Sequence, residues 1–279
     1  MKPSEQFLFT QSNLQDYIDC PYRFYLRHLK KIKWPGQTVG DAAEFEQRGQ
    51  IGARFHRLVQ QYLLEVPEKR LSEIAQADPS PKVLHWWNNF LNFVPPLLTG
   101  DKFVESIFST FINHYQLIAK YDLVLFNHPD EVIIFDWKTS TKKPRKEWLA
   151  SRIQTRLYQF TLADTKVDNP ISALINPENI TMKFWFTEHP ETPVSLTYSN
   201  SMYKKDQVFF TGLINEIINK TPEEFIRTEE LSHCRYCVYR SHCDRGVDAG
   251  DLSGFDDFMA ESDDLKLDVE FENISEIAF

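Results

Sequence analysis

Three stretches in the middle of the chain restrict the fold more than anything else in the sequence. Residues 102–112, 115–126 and 131–138 are rich in Ile, Val, Phe and Tyr, with runs of period-2 alternation. Asn113-His114 and Asn127-His128-Pro129-Asp130 separate them, and both are turn signals. The spacing predicts three antiparallel strands joined by short loops. Residues 180–187 and 193–198 predict two more.

Helical spacing surrounds this meander. The stretch Ser12-Asn13-Leu14-Gln15 has the form of a capping box, with Leu14, Tyr17 and Ile18 following, and predicts a short helix ending near Cys20-Pro21. In 41–65, Phe55, Leu58, Val59, Tyr62 and Leu63 recur at i, i+3, i+4, i+7 and i+8. Residues 68–94 continue as helix, broken around Asp78-Pro79-Ser80-Pro81 and stopped by Pro95-Pro96. The 66–100 segment reads as a helical insert. Leu149, Ile153, Leu157 and Phe160 predict one helix over 146–163, and 202–219 predict another. The fold class is α/β, with helical additions to a sheet.

Net charge is a poor guide to partners here. The whole chain carries −9, but residues 248–279 hold 11 acids against Lys266 alone. The remaining 29 acids and 30 bases nearly cancel, so the balance does not exclude a nucleic acid. The tail reads as a flexible segment, open as a docking site for a protein partner. No apolar run approaches the roughly 18 residues of a membrane span. The first residues lack the apolar stretch of a signal peptide, so the expectation is a cytoplasmic, reducing setting without a membrane partner. There, cysteines are more often metal ligands than disulfides.

Three of the four cysteines form a C-x2-C-x5-C cluster, Cys234, Cys237 and Cys243. Such a cluster suggests a metal site, and thiolate-bound metals usually take four ligands. His233 and His242 flank it and keep a zinc reading open. Arg235, Arg240 and Arg245 alternate with Tyr236 and Tyr239, a pattern that suits a DNA-facing rim or packing about the metal.

The second signal is Phe135-Asp136-Trp137-Lys138-Thr139-Ser140. Alternate side chains of a strand share a face, so Asp136 and Lys138 point one way and Trp137 the other. A lone D-x-K is commonly an ion pair and nothing more. Asp122 on the preceding strand adds a second carboxylate, and two carboxylates with a lysine suit a hard divalent cation beside a phosphate. His56 borders the apolar stripe of the 41–65 helix, as a buried histidine or as a ligand. Gln154 and Tyr158, at i and i+4, share a helix face. Lys142, Lys143, Arg145 and Lys146 follow the D-x-K strand, as a solvated face or a phosphate contact.

Taken in order, GARFH (52–56), YDLVL (121–125), FDWKTS (135–140) and QTRLY (154–158) resemble the RecB-like branch of the PD-(D/E)XK nucleases. DYIDCPYRFYLRHL (16–29) with CRYCVYRSHC (234–243) is similar to that branch's iron–sulfur arrangement. The branch includes CRISPR-associated spacer-acquisition nucleases and nuclease domains of helicase–nuclease repair complexes. The resemblance spans roughly 12–245, and six weak motifs in order are specific together. One departure is Ala119, where the family often has glycine.

The resemblance implies a restriction-endonuclease-like core over 1–247, a central mixed sheet flanked by helices. It implies Mg2+ or Mn2+ held by His56, Asp122 and Asp136 with the Trp137 carbonyl. Lys138 would act on the attacking water, steadied by Gln154 and Tyr158. Cys20, the one cysteine left, would join Cys234, Cys237 and Cys243 in holding a 4Fe–4S cluster, tying the two ends of the domain together. The expected activity is metal-dependent DNA hydrolysis, exonucleolytic or end-processing, in repair or recombination. The alternatives are spacer acquisition, or a DNA-binding scaffold that keeps the fold without catalysis.

Overall fold

A computed structural model describes residues 2–32, 41–127, 131–165, 175–234 and 237–246, without the side chains of 41–46. The turn residues His128, Pro129 and Asp130, the rim residues Arg235 and Tyr236, and the acidic tail 248–279 lie outside the described residues.

The meander forms as its spacing predicts. β1 (Asp101–Ile112), β2 (Tyr115–Asn127) and β3 (Glu131–Lys138) pair antiparallel in sequence order. Asn113 turns the first hairpin at φ +56, a left-handed conformation that asparagine tolerates. β4 (Ile180–Phe186) runs parallel to β3, and β5 (Val194–Thr197) antiparallel to β4. The result is a mixed five-stranded sheet of order β1-β2-β3-β4-β5.

A parallel neighbour requires a crossover, and helices supply it. The expected single helix over 146–163 is two, α6 (Lys146–Ser151) and α7 (Ile153–Asp164). Arg152 between them is extended, at ψ 146. The Leu149 carbonyl still accepts the Arg152 N–H at 3.2 Å and the Thr155 hydroxyl at 2.6 Å, so the break leaves this carbonyl satisfied. The kink starts a new helix one residue before Gln154.

The N-terminal helix also starts elsewhere than its sequence suggests. α1 (Gln11–Asp19) is capped by Thr10, with Asn13 as the reciprocal partner, and not by Ser12 with Gln15. Phe9 decides this. Its N–H and carbonyl bond to Gln116 and Ile118 of β2, both at 2.9 Å, which holds the chain extended up to Thr10. α2 (Pro21–Phe24) follows, then a π-helical turn over Tyr25–Leu29.

Each sheet face carries its own core. On one side, α1, α7 and α8 (Asn200–Asn219) cover Leu117, Tyr121, Ile134, Met182 and Phe184. On the other, α3 (Asp41–Leu63), α4 (Glu68–Gln76) and α5 (Pro81–Phe93) bury Phe55, Trp86, Trp87 and Phe90 against Phe135, Trp137 and Trp185. Each such side chain contributes on the order of 2–3 kcal/mol when fully buried. Helices α4 and α5 of the 66–100 segment thus complete a core layer. No helix among the described residues is long and apolar enough to cross a membrane.

A buried ionic network bridges the break at Cys20. Asp16 binds Arg23 at 2.7 Å, Arg27 at 2.8 Å and His28 at 2.8 Å, and Asp19 binds Arg23 at 2.7 Å. Burial alone would raise the Asp16 carboxyl, but Arg23, Arg27 and His28 together hold it far below the usual carboxylate range. The folded-state value is depressed, so this stabilisation is complete above the unfolded value near 3.9 and is lost as pH falls below it. Asp16→Asn is expected to cost about 3 kcal/mol in chemical denaturation at pH 7, because it strands buried cations. Its stability should also fall less steeply than wild type below pH 4.

Candidate active site

The site lies at the C-terminal end of β3. Asp136 and Lys138 leave β3 on the α7 side, while Trp137 enters the opposite core. The Lys138 ammonium sits 3.0 Å from Asp136 Oδ2 and 3.1 Å from Gln154 Oε1. Gln154 closes the triangle by donating its Nε2 to Asp136 Oδ1 at 2.7 Å. The ammonium also lies 5.7 Å from the centre of the Phe184 ring. Asp136 and Lys138 are only 5% and 7% exposed, so the pair is held with little solvent screening.

Asp122 sits beside this triangle, and its position follows from an irregularity in β1 and β2. Leu117, Ala119 and Tyr121 face the α7 side, whereas Leu123 and Leu125 face the α3 side. The same switch occurs in β1, between Phe103 and Phe108 on the α7 side and Val104 on the other. Pairing runs Val104 to Leu123 and Ser106 to Tyr121, omitting Glu105 and Asp122 between them. Glu105 takes φ +49, rare for a non-glycine residue in a strand. At this switch Asp122 reaches two elements at once. Its Oδ2 accepts the Trp137 N–H at 2.8 Å, and its Oδ1 lies 3.6 Å from His56 Nδ1 on α3.

Glu105 is the residue that sequence reasoning missed. It is half-buried, ion-paired to Lys120 at 2.9 Å, and within the fields of both Asp122 and His56. Burial and the Asp122 charge push its carboxyl up, against Lys120 and His56. For Asp122, burial is outweighed by His56, the Trp137 N–H and Lys138, which hold it down. The two carboxylates therefore divide. Asp122 stays ionised, and Glu105 takes the first proton as pH falls. The available signal was an acidic residue midway along a strand that also carries Asp101, Lys102 and Ser106, and nothing local distinguished it from a solvent-facing one.

His56, Asp122, Asp136, Lys138 and Gln154 thus come together, from α3, β2, β3 and α7. Tyr158 sits one turn beyond Gln154, buried, with its ring 4.8 Å from that of Tyr121 and its carbonyl accepting the Tyr121 hydroxyl at 2.8 Å. The donor set, one imidazole and three carboxylates, suits a hard divalent cation. Among the described residues no three His, Cys, Asp or Glu side chains are already closed around one ion position. Asp136, one of these carboxylates, is ion-paired to the Lys138 ammonium.

The four cysteines meet at a second place. Cys20, Cys234, Cys237 and Cys243 line one cavity, with Arg23, Leu26 and Tyr239, and none is in a disulfide. Cys20 arrives at the junction of α1 and α2, and the other three on a segment of short 3-10 turns. A four-thiol donor set fits an iron–sulfur cluster or zinc.

Comparison with family models matches residues 8–244 to the PD-(D/E)XK nuclease superfamily. The chain belongs to this superfamily. The match runs from the extended segment before α1 to the last cysteine, and includes both places just described. None of the curated proteins compared with the chain matches it. Among solved structures, one titled "Crystal structure of SSO0001" aligns over 87% of each chain at 11% identity, with a TM-score of 0.37. A mixed sheet flanked by helices is consistent with the restriction-endonuclease-like architecture of the superfamily.

The left-handed backbone at Glu105 yields a stability test. A non-glycine residue held there costs on the order of 1–3 kcal/mol, whereas glycine adopts φ > 0 freely but loses about 0.5–1 kcal/mol of chain entropy. Glu105→Gly is therefore expected to unfold within about 1 kcal/mol of wild type in urea. Glu105→Val, β-branched at the same φ, is expected to lose about 2 kcal/mol or more.

Proposed function

We propose that this superfamily member is a Mg2+- or Mn2+-dependent deoxyribonuclease, acting on DNA ends or single strands in repair or recombination. One observation carries the reading. The Lys138–Asp136–Gln154 triangle and the Asp122–His56 pair meet at one strand end, with the lysine held in place by both an acid and an amide.

His56, Asp122 and Asp136 are the residues to hold the divalent cation, with Glu105 adjacent. When bound, such a cation supplies Lewis-acid stabilisation of phosphoryl charge and a water of lowered pKa. The protein's own groups do the rest. The Trp137 N–H fixes the Asp122 carboxylate. Gln154 spans Asp136 and Lys138, so turning the carboxylate outward leaves the amide still holding the ammonium. The freed ammonium orients a water for in-line attack and offsets charge on the non-bridging oxygens. The water oxygen bonds to phosphorus and gives up a proton to solvent, the bond to the leaving sugar oxygen breaks, and that oxygen takes a proton from solvent. Tyr158 helps seat α7 on β2 through its contacts with Tyr121.

The cysteine cavity is read as the seat of a structural 4Fe–4S cluster. Four free thiols from the two ends of the described fold, converging on one cavity, support this. A cross-link over so long a loop removes a large closure entropy from the unfolded chain.

Anaerobically purified protein is expected to degrade linear single- or double-stranded DNA with Mn2+ or Mg2+ and to spare covalently closed circles. Lys138→Ala is expected to slow cleavage by about 10²–10³-fold, the usual effect of losing one preorganised stabilising group. Wild-type rates in Lys138→Ala would sink the mechanism. DNA binding without hydrolysis in the wild type would favour a scaffold. Cys20→Ala and Cys237→Ala are expected to bleach the brown colour of the protein and lower its unfolding temperature.

A further inference from the structure

Beyond Phe225 the described chain has no strand and no α-helix, and arginines set its shape. Arg227 donates to the Cys243 carbonyl at 2.7 Å, and Arg240 to the Arg245 carbonyl at 3.0 Å. Arg245 donates from the same Nη1 to the Thr228 carbonyl at 2.9 Å and to the Cys234 sulfur at 3.0 Å. Gly246, at φ +112, lets the chain pass the Arg240 guanidinium, where a Cβ would come within 3.2 Å.

The arginines at this cavity differ in how their charge is matched. Arg23, on the N-terminal wall, is matched by Asp16 and Asp19. Arg245, on the opposite wall, has no carboxylate partner among the described residues, only the Thr228 carbonyl and the Cys234 sulfur. Neutral thiols would gain little from such a positive charge. A thiolate-held iron–sulfur cluster would gain much, because four thiolates outweigh the positive charge of the iron–sulfur core and the loaded site is anionic. Hydrogen bonds to the ligand sulfurs and nearby charge are the protein's means of setting cluster stability and potential.

We infer that Arg245 is a positioning residue for the cluster: its guanidinium donates to the Cys234 sulfur, retains that leg and favours the more reduced, more negative state. This rests on the reading of the four cysteines as cluster ligands. Cys234 gains a charge-assisted donor that also reaches Thr228, so one Nη1 fixes sulfur and backbone together.

The test uses the full chain, anaerobically purified with its iron, as wild type, Arg245→Gln, Arg245→Lys and Arg70→Gln, an exposed arginine of α4, as control. Iron release to bathophenanthroline and the potential of a one-electron reductive titration are the readouts. Arg245→Gln is expected to release iron about tenfold faster, as loss of an outer-shell partner typically does, and to shift to more negative potential. A merely structural role would not move the potential. Arg245→Lys should fall between the two, and Arg70→Gln should match wild type. If Arg245→Gln takes up no iron, faster release from Arg245→Lys than from wild type is the expected result. Iron-loaded Arg245 variants with wild-type release and potential overturn this role and leave the cluster reading intact. A wild-type chain that takes up zinc and no iron overturns both.

Discussion

The interruption of the β1–β2 ladder at Glu105 and Asp122 is the constraint on which the site depends. In regular alternation a side chain serves one face of a sheet. Asp122 serves both, because the side chains before it face the α7 side and those after it face the α3 side. That is how one carboxylate meets His56 from one helical layer and the Trp137 N–H beside the Asp136–Lys138 pair that faces the other. The register resumes unchanged on either side, so the switch reorients side chains without shifting the sheet. The left-handed φ of Glu105 is where the strain is stored, and such strain persists only where surrounding structure over-determines it. Here the flanking pairs of β1 and β2 and two apolar cores do so.

Much of this was legible in the sequence. The strand spans and the Asn113 turn were visible because period-2 alternation and a turn-forming asparagine are local signals. The D-x-K geometry was visible because strand alternation puts Asp136 and Lys138 together whatever surrounds them. What failed to show was set by contacts distant in sequence. The start of α1 moved to Thr10 because Phe9 is pinned by β2, over a hundred residues away. The helix break at Arg152 is invisible to a periodicity that continues in phase across it. Glu105 was missed because its importance lies in a backbone conformation, and glutamate carries no sequence mark for φ > 0.

The same distinction separates Gln154 from Tyr158. Their i, i+4 spacing put them on one helix face, and so it is. Gln154 stands at the first turn of α7, next to the end of β3, while Tyr158 is one turn deeper, over Tyr121. One helix face thus spans from the chemistry to the core in a single turn, which makes the core's packing the reference for the position of the amide. A shift of α7 against Tyr121 would displace Gln154 from both partners at once.

The two ends of the described chain are organised by opposite electrostatic logic. Around Asp16 the charges are matched in detail, with two carboxylates against two arginines and a histidine, and the result is a rigid junction that places Cys20. Beside Cys234, Arg245 bonds to a sulfur and to the Thr228 carbonyl and to no carboxylate among the described residues. A matched network costs little beyond its own desolvation and needs no occupant. In the candidate active site the carboxylates Glu105, Asp122 and Asp136 are set against Lys120, His56 and Lys138. One junction is thus matched by carboxylates, and the other leaves Arg245 to backbone and sulfur acceptors.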